Sequence, residues 1–265
     1  MKVAIIKYNA GNIQSVDFAL RKLGIEAIIT DSPEISSIYT FQFATNISCP
    51  GIPTVDYDGK TYNTIQIKSQ CWLKENLDAG TIIQGNENMT DNDVIEKWCS
   101  GNDAGNCDLY GGLYSWREMM NYSMIAGARG ICPPGWHIPV LEEINILNGA
   151  TDSQFGIGDP EWDHFGPRGF DSGYNLKAAW SWDNNGNGSD LFGFTILAGG
   201  YRINTGGFWP PGGDASFWTS TNDGQNNVSA FSFSFWQEQV YSYTLDMNDN
   251  VEAGYGHSVR CLMND

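Results

Sequence analysis

Gly130-Ile131-Cys132-Pro133-Pro134-Gly135-Trp136-His137-Ile138-Pro139 is the stretch whose reading decides the fold class. Its prolines fix φ and its glycine takes backbone angles that other residues avoid, so Pro133 to Gly135 is a rigid turn. The turn delivers Cys132 and Trp136, and Trp136 sits in an apolar context that suits a core anchor. His137, between Trp136 and Ile138, reads as a hydrogen-bonded core histidine rather than a base. The run that follows, 140–148, looks helical.

Outward from this turn the chain has one texture from Gly51 to its end. Short β-type runs at 62–67, 194–197, 230–235 and 240–245 alternate with loops rich in Gly, Asn, Asp and Ser. Only one further segment, 114–121, looks helical. Few helices among many short strands predict an α+β domain. Its long loops are entropically expensive to order, which gives the cysteines their importance.

There are six cysteines and three histidines (His137, His164, His257), with no Cys-x-x-Cys and no His-Glu-x-x-His. That spacing does not make a zinc site, and no metal is expected. An even cysteine count in a loop-rich domain predicts three disulfides and an oxidising compartment, extracellular or at the cell surface. Of the pairings that six cysteines allow, Cys99–Cys107 closes a short loop across Asn102-Asp103. Cys132–Cys261 ties the domain middle to its last strand, and Cys49–Cys71 follows by elimination.

The chain of 265 residues carries 14 basic and 31 acidic side chains, a net charge of −17. Residues 1–36 are neutral, with Lys2, Lys7, Arg21 and Lys22 against Asp17, Glu26, Asp31 and Glu34, so the whole charge lies beyond them. Such acidity argues against nucleic acid and anionic membranes as partners. No apolar run approaches about 20 residues, so no membrane insertion is expected. All ten tryptophans lie at Trp72 or later. The break marks two segments of different origin: 1–36, a junction at 37–50, and a domain at 51–265.

The first segment reads as one β-α-β unit. Val3 to Ile6 and Glu26 to Thr30 are strands, and Ile13, Val16, Ala19, Leu20 and Leu23 recur at helical spacing between them. It resembles the start of the glutamine amidotransferase subunit of imidazole-glycerol-phosphate synthase. The family's oxyanion loop, its Gly-x-Cys-x-Gly nucleophile turn and its later His and Glu do not follow, so no amidotransferase activity is expected. Nor does the segment read as a signal peptide, because Lys7, Asn9 and Asn12 interrupt the apolar region. The expectation is an orphan fragment that has replaced the original export signal.

The larger segment carries, in order, Asp58-Gly59-Lys60-Thr61-Tyr62-Asn63-Thr64, Gln70-Cys71-Trp72-Leu73-Lys74-Glu75-Asn76-Leu77, Tyr110-Gly111-Gly112-Leu113-Tyr114-Ser115-Trp116 and the Cys132 turn. Phe192-Gly193-Phe194-Thr195, Gly199-Gly200-Tyr201-Arg202, Trp218-Thr219-Ser220-Thr221 and Ser258-Val259-Arg260-Cys261 follow. In these motifs it resembles the Fibrobacter succinogenes major paralogous domain. The resemblance implies a secreted or surface domain with a C-type-lectin-like fold. One departure is Val140, where the family places a helix-capping Thr or Ser; this weakens the start of the helix at Leu141. Arg260 is assigned a buried carboxylate partner, Glu75.

Two features are candidates for function. Asp183-Asn184-Asn185-Gly186-Asn187-Gly188-Ser189-Asp190 opens like a calcium loop, but its twelfth position is Phe194 rather than an acid. An Asn-Gly turn explains it without metal, so no cofactor is expected and calcium stays an alternative. In 222–256, Phe231, Phe233 and Phe235 alternate with Ser232 and Ser234, so one face is core. Asn222, Trp236, Gln237, Gln239, Tyr241 and Tyr243 then lie on or near the outer side. Aromatic faces with amides suit sugar rings or a protein partner, and the resemblance implies a ligand surface before the last cysteine. An edge hairpin with polar decoration is the competing reading. The expected function is binding of carbohydrate or a surface protein without catalysis. A sulfatase-modifying-factor-like oxidase is the enzymatic alternative, and it requires reactive thiols.

Overall fold

The computed structural model describes residues 47–247 and 254–264, together with the backbone of two strands near the amino terminus. The chain divides into two units, Met1–Thr45 and Asn46–Asp265. In the first, β1 (Lys2–Ile6) and β2 (Glu26–Thr30) pair in parallel, from Lys2↔Glu26 to Ile6↔Thr30. The helix expected between them lies outside the described residues.

The second unit is a mixed α/β domain with short helices. One sheet has the order β3-β4-β5-β15-β8, from β3 (Thr54–Tyr57), β4 (Lys60–Ile67), β5 (Gln70–Leu73), β8 (Trp136–His137) and β15 (Leu262–Met263). The other has the order β12-β13-β14-β9, from β9 (Gly166–Arg168), β12 (Asp214–Asn222), β13 (Asn227–Ser234) and β14 (Val240–Asp246). Two small ribbons accompany them: β6 (Thr81–Ile82) with β7 (Glu96–Lys97), and β10 (Tyr201–Arg202) with β11 (Phe208–Trp209). Residues Cys49 and Ile47 already belong here. Cys49 is buried and its N–H donates to Thr64 Oγ1 at 3.0 Å, while the Gln66 N–H donates to the Ile47 carbonyl. The domain therefore begins before Gly51.

The second sheet carries core on both faces, which corrects the one-sided reading of its alternation. Ala215, Phe217, Phe231, Phe233 and Val240 pack with Ile144, Leu147 and Trp72 on one side. Trp218, Val228, Ala230, Tyr243 and Leu245 pack with Tyr114, Trp116 and Met119 on the other. Three disulfides, Cys49–Cys71, Cys99–Cys107 and Cys132–Cys261, stitch the loops to these cores, and all six sulfurs are paired.

The helices at Trp116–Met119 and Leu141–Thr151 match the two expected. Two more, Ala104–Tyr110 and Ser172–Leu176, are too short to leave a periodic signal. In the run 194–197 Phe194 and Ile196 are buried, but it forms only an isolated bridge between Ile196 and Lys177, because its neighbours are loops. Val140 provides no capping oxygen, yet the Leu141 N–H donates to Thr221 Oγ1 at 2.8 Å, a substitute 80 residues away. Among the described residues Arg260 pairs with no carboxylate: its guanidinium donates to Asn76 Oδ1 and the Phe194 carbonyl and lies 4.5 Å over the Phe194 ring. Glu75 is held by Asn63 instead.

Candidate functional site

At one end of the second sheet, the face bearing Trp218 and Tyr243 is no longer covered by core. Successive residues of a strand alternate faces, so Asp214 and Ser216 of β12, Ser232 and Ser234 of β13, and Tyr241 of β14 share this side. The pairings Asp214↔Ser234, Ser216↔Ser232 and Ser232↔Tyr241 put them in adjacent rows. On the other flank, the bridge Gly200↔Ala215 sets β10 beside β12, and β11 pairs Trp209 with Tyr201. Asp214 and Ser232, both part-exposed, thus form the floor of a trough with aromatic walls, and Ser216 and Ser234 lie buried beneath it.

One wall is Tyr201 and Trp209, stacked with centroids 6.1 Å apart and planes at 15°. The other is Tyr241 and Tyr243, 5.8 Å apart. Tyr201 and Tyr241 stand three strand spacings apart, about 14 Å between backbones. Trp209 is 47% exposed and Tyr241 39%, so each wall presents a ring to solvent. Gly200 makes the first wall feasible: its φ is +71°, and a Cβ there would come within 2.1 Å of the Trp209 carbonyl. Gly213 lies under the indole, where a Cβ would approach Nε1 to 3.2 Å.

His257 closes the inner end. Its ring is 4.1 Å from Trp218 and 5.9 Å from Tyr201, and its Nε2 is 3.2 Å from the Tyr243 hydroxyl. Burial lowers its pKa to about 3, so it is a neutral hydrogen-bonding group at physiological pH. Burial also raises the pKa of Tyr243, whose hydroxyl bonds Ser216, and that of Tyr201, to which the Asp214 charge adds. The Ser234 hydroxyl donates to Asp214 Oδ1. Neutral hydroxyls, one carboxylate and exposed ring faces are equipped for hydrogen bonding and stacking.

The expected ligand residues are not one surface. Tyr241 and Tyr243 belong to the trough, although Tyr243 is half-buried rather than outward. Trp236 stands in the β13–β14 turn, 62% exposed and edge-on to Phe235. In the same turn Gln237 gives its carbonyl to Lys177 Nζ at 2.8 Å, and Gln239 Nε2 donates to the Gly169 carbonyl. Asn222 is at the opposite end of β12, about 25 Å away, where its Nδ2 donates to the Met124 carbonyl. In the calcium-like loop, Asp190 accepts from the Thr195 N–H and hydroxyl and Asn187 Oδ1 from the Trp182 N–H. Phe194 is buried against Trp72. Among the described residues, no three His, Cys, Asp or Glu gather as a metal cluster.

The residues missed from the sequence are Tyr201, Trp209, Asp214 and His257. Two stood beside recognisable signals, Tyr201 within Gly199-Gly200-Tyr201-Arg202 and His257 just before Ser258-Val259-Arg260-Cys261. His137 is half-buried, with Nδ1 2.8 Å from Asn264 Oδ1 and Nε2 3.0 Å from Glu143.

A two-core α/β domain with short strands, long disulfide-tied loops and an aromatic trough is the class that fold and site define. The Fibrobacter succinogenes major domain matches residues 65–263, and the chain belongs to that family. The amino-terminal part is similar to the imidazole glycerol phosphate synthase subunit HisH of Bacteroides thetaiotaomicron, 44% identical over 77 residues, which is 29% of this chain and 35% of that protein. It is also similar to the same subunit of Bacteroides fragilis strain YCH46, 52% identical over 52 residues, 20% of this chain and 24% of that protein. The chain spans about a quarter to a third of the length of these curated relatives. No solved structure matches it.

Proposed function

We propose that the domain is an extracellular carbohydrate-binding module of C-type-lectin-like fold, acting without catalysis, with the trough as its ligand site. The observation that carries this reading is the pair of aromatic walls, Trp209 with Tyr201 and Tyr241 with Tyr243, each presenting one solvent-exposed ring over the part-exposed Asp214 and Ser232. Ring faces stack on the C–H faces of a sugar while hydroxyls and carboxylate take its hydroxyl groups. The three disulfides support an oxidising location, and the absence of free thiols speaks against the oxidase alternative. The HisH-like segment contributes no glutaminase activity, because no Gly-x-Cys-x-Gly turn follows it.

The test is a glycan array probed with the full chain, its Trp209→Ala and Tyr241→Ala variants, and chelator-treated protein. Binding is expected to survive chelator and to fall at least tenfold in each variant. Glycan binding that both variants retain would remove the trough from consideration. An array without signal, followed by capture of a purified surface protein that either variant abolishes, would favour the protein-partner reading.

A further inference from the structure

We infer that Asp214 makes the trough selective by charge, admitting uncharged hydroxyl-rich glycans and rejecting those that carry a carboxylate next to the bound ring. The inference rests on the carbohydrate reading above and adds the chemical class of glycan.

Asp214 is the only charged side chain among the described residues that form the trough. Its strand register puts it on the floor, one row from Ser216 and Ser232. Its field reaches both walls, contributing to the raised pKa of Tyr201 and of Tyr243. Ser234 occupies Oδ1 as a donor and brings no charge.

Two cations whose neighbours or partners belong to the trough are engaged elsewhere. Arg202, next in sequence to Tyr201, is buried, donates to the carbonyls of Gly85 and Gly254 and lies 4.0 Å over the Trp98 ring. Lys177 is buried on the opposite side of the sheet, where its Nζ donates to the carbonyls of Ser234 and Gln237. A uronate held between the walls would therefore face a carboxylate with no arginine or lysine among the described residues to bridge them. The chain's −17 charge adds a long-range penalty of the same sign. A neutral sugar meets the same carboxylate as a hydroxyl acceptor, among the stronger hydrogen bonds available to it. Across the short gap of such a site, like-charge repulsion is worth on the order of tenfold in affinity, and salt screens it.

Cellohexaose, maltohexaose and β-1,4-galactohexaose, each paired with its C6-oxidised polyuronate, provide the probes. Titration calorimetry on the full chain is expected to show a preference of about tenfold or more for the neutral member of a binding pair, shrinking in 1 M NaCl. Asp214→Asn keeps a side-chain oxygen for Ser234 and is expected to bring the two members within about twofold, chiefly by a gain for the uronate. An unchanged melting temperature would establish that this variant folds. Equal binding of both members by the original chain, or a preference that survives Asp214→Asn, overturns the charge inference and leaves the carbohydrate reading intact. Binding of neither member of any pair, together with a silent array, overturns both.

Discussion

Removing the disulfides one at a time, by double substitution to alanine, should rank them by the loop each closes. The paired cysteines are 129, 22 and 8 positions apart in Cys132–Cys261, Cys49–Cys71 and Cys99–Cys107. Loop-closure entropy withdrawn from the unfolded chain then gives about 5, 3.4 and 2.6 kcal/mol of stabilisation respectively. All six cysteines are nearly fully buried, so the side-chain volume lost is similar in each pair and the difference reports chain topology. For a domain of this size the losses correspond to melting temperatures lower by about 10–20 °C for Cys132–Cys261 and about 5–10 °C for Cys99–Cys107. Urea titration followed by fluorescence of the ten tryptophans measures the free energies directly. Equal losses, or a largest loss at Cys99–Cys107, would refute the entropic argument and point to local strain or residual structure in the unfolded chain.

Three further outcomes follow from particular contacts. Thr221→Val removes the hydroxyl that accepts the Leu141 N–H and should cost about 1 kcal/mol. In a Val140→Ser background, which restores a local cap, the same change should cost measurably less in a double-mutant cycle. Arg168 is 1% exposed, with Nε and Nη2 unpartnered among the described residues, and burial lowers its pKa to about 10. Because Asn145 Nδ2 also donates to the Trp162 carbonyl that Arg168 uses, Arg168→Met should leave urea stability unchanged or raise it by about 1–4 kcal/mol. A loss of several kcal/mol would contradict this. His257 stays neutral when folded, with its pKa lowered by burial from 6.5 to about 3, whereas the unfolded chain takes up a proton. Its contribution is therefore complete above pH 6.5 and is lost as pH falls toward 3, at about 1.4 kcal/mol per pH unit. Urea midpoints at pH 7 and pH 4 should separate the original chain from His257→Gln, and parallel behaviour would count against a buried neutral imidazole.

What the sequence made legible was local. β4, β13 and β14 are visible as short alternating runs, and the helix at Leu141–Thr151 as a periodic one. The pairing of Phe231 and Phe233 against Ser232 and Ser234 is equally plain, but it reads as one buried face and one wet face. It cannot reveal that Tyr243 folds across the serine side with His257 and Tyr201, which arrive from segments 14 and 42 positions away. The trough draws on five strands and the His257 segment, so no window of sequence contains it. The Thr221 cap was hidden for the same reason, since Val140 shows only what is missing. Arg260 misled because guanidinium chemistry suggests a carboxylate, whereas an amide, a carbonyl and an aromatic face satisfy it here.

The position of β15 has a consequence for the order of events in the chain's making. Leu262 pairs with Trp72 on one side and His137 on the other, and lies 190 positions after Trp72. The first sheet has a gap in its middle until Leu262 has been synthesised, and β5 waits for its partner on the order of 10–40 s at ordinary translation rates. Pairing at such long separation is slow to form even afterwards. The domain therefore stays open while the 190 positions from Trp72 to Leu262 are being made. Closing the sheet and oxidising Cys132 with Cys261 are thereby late events of a single kind, because Cys261 arrives with β15.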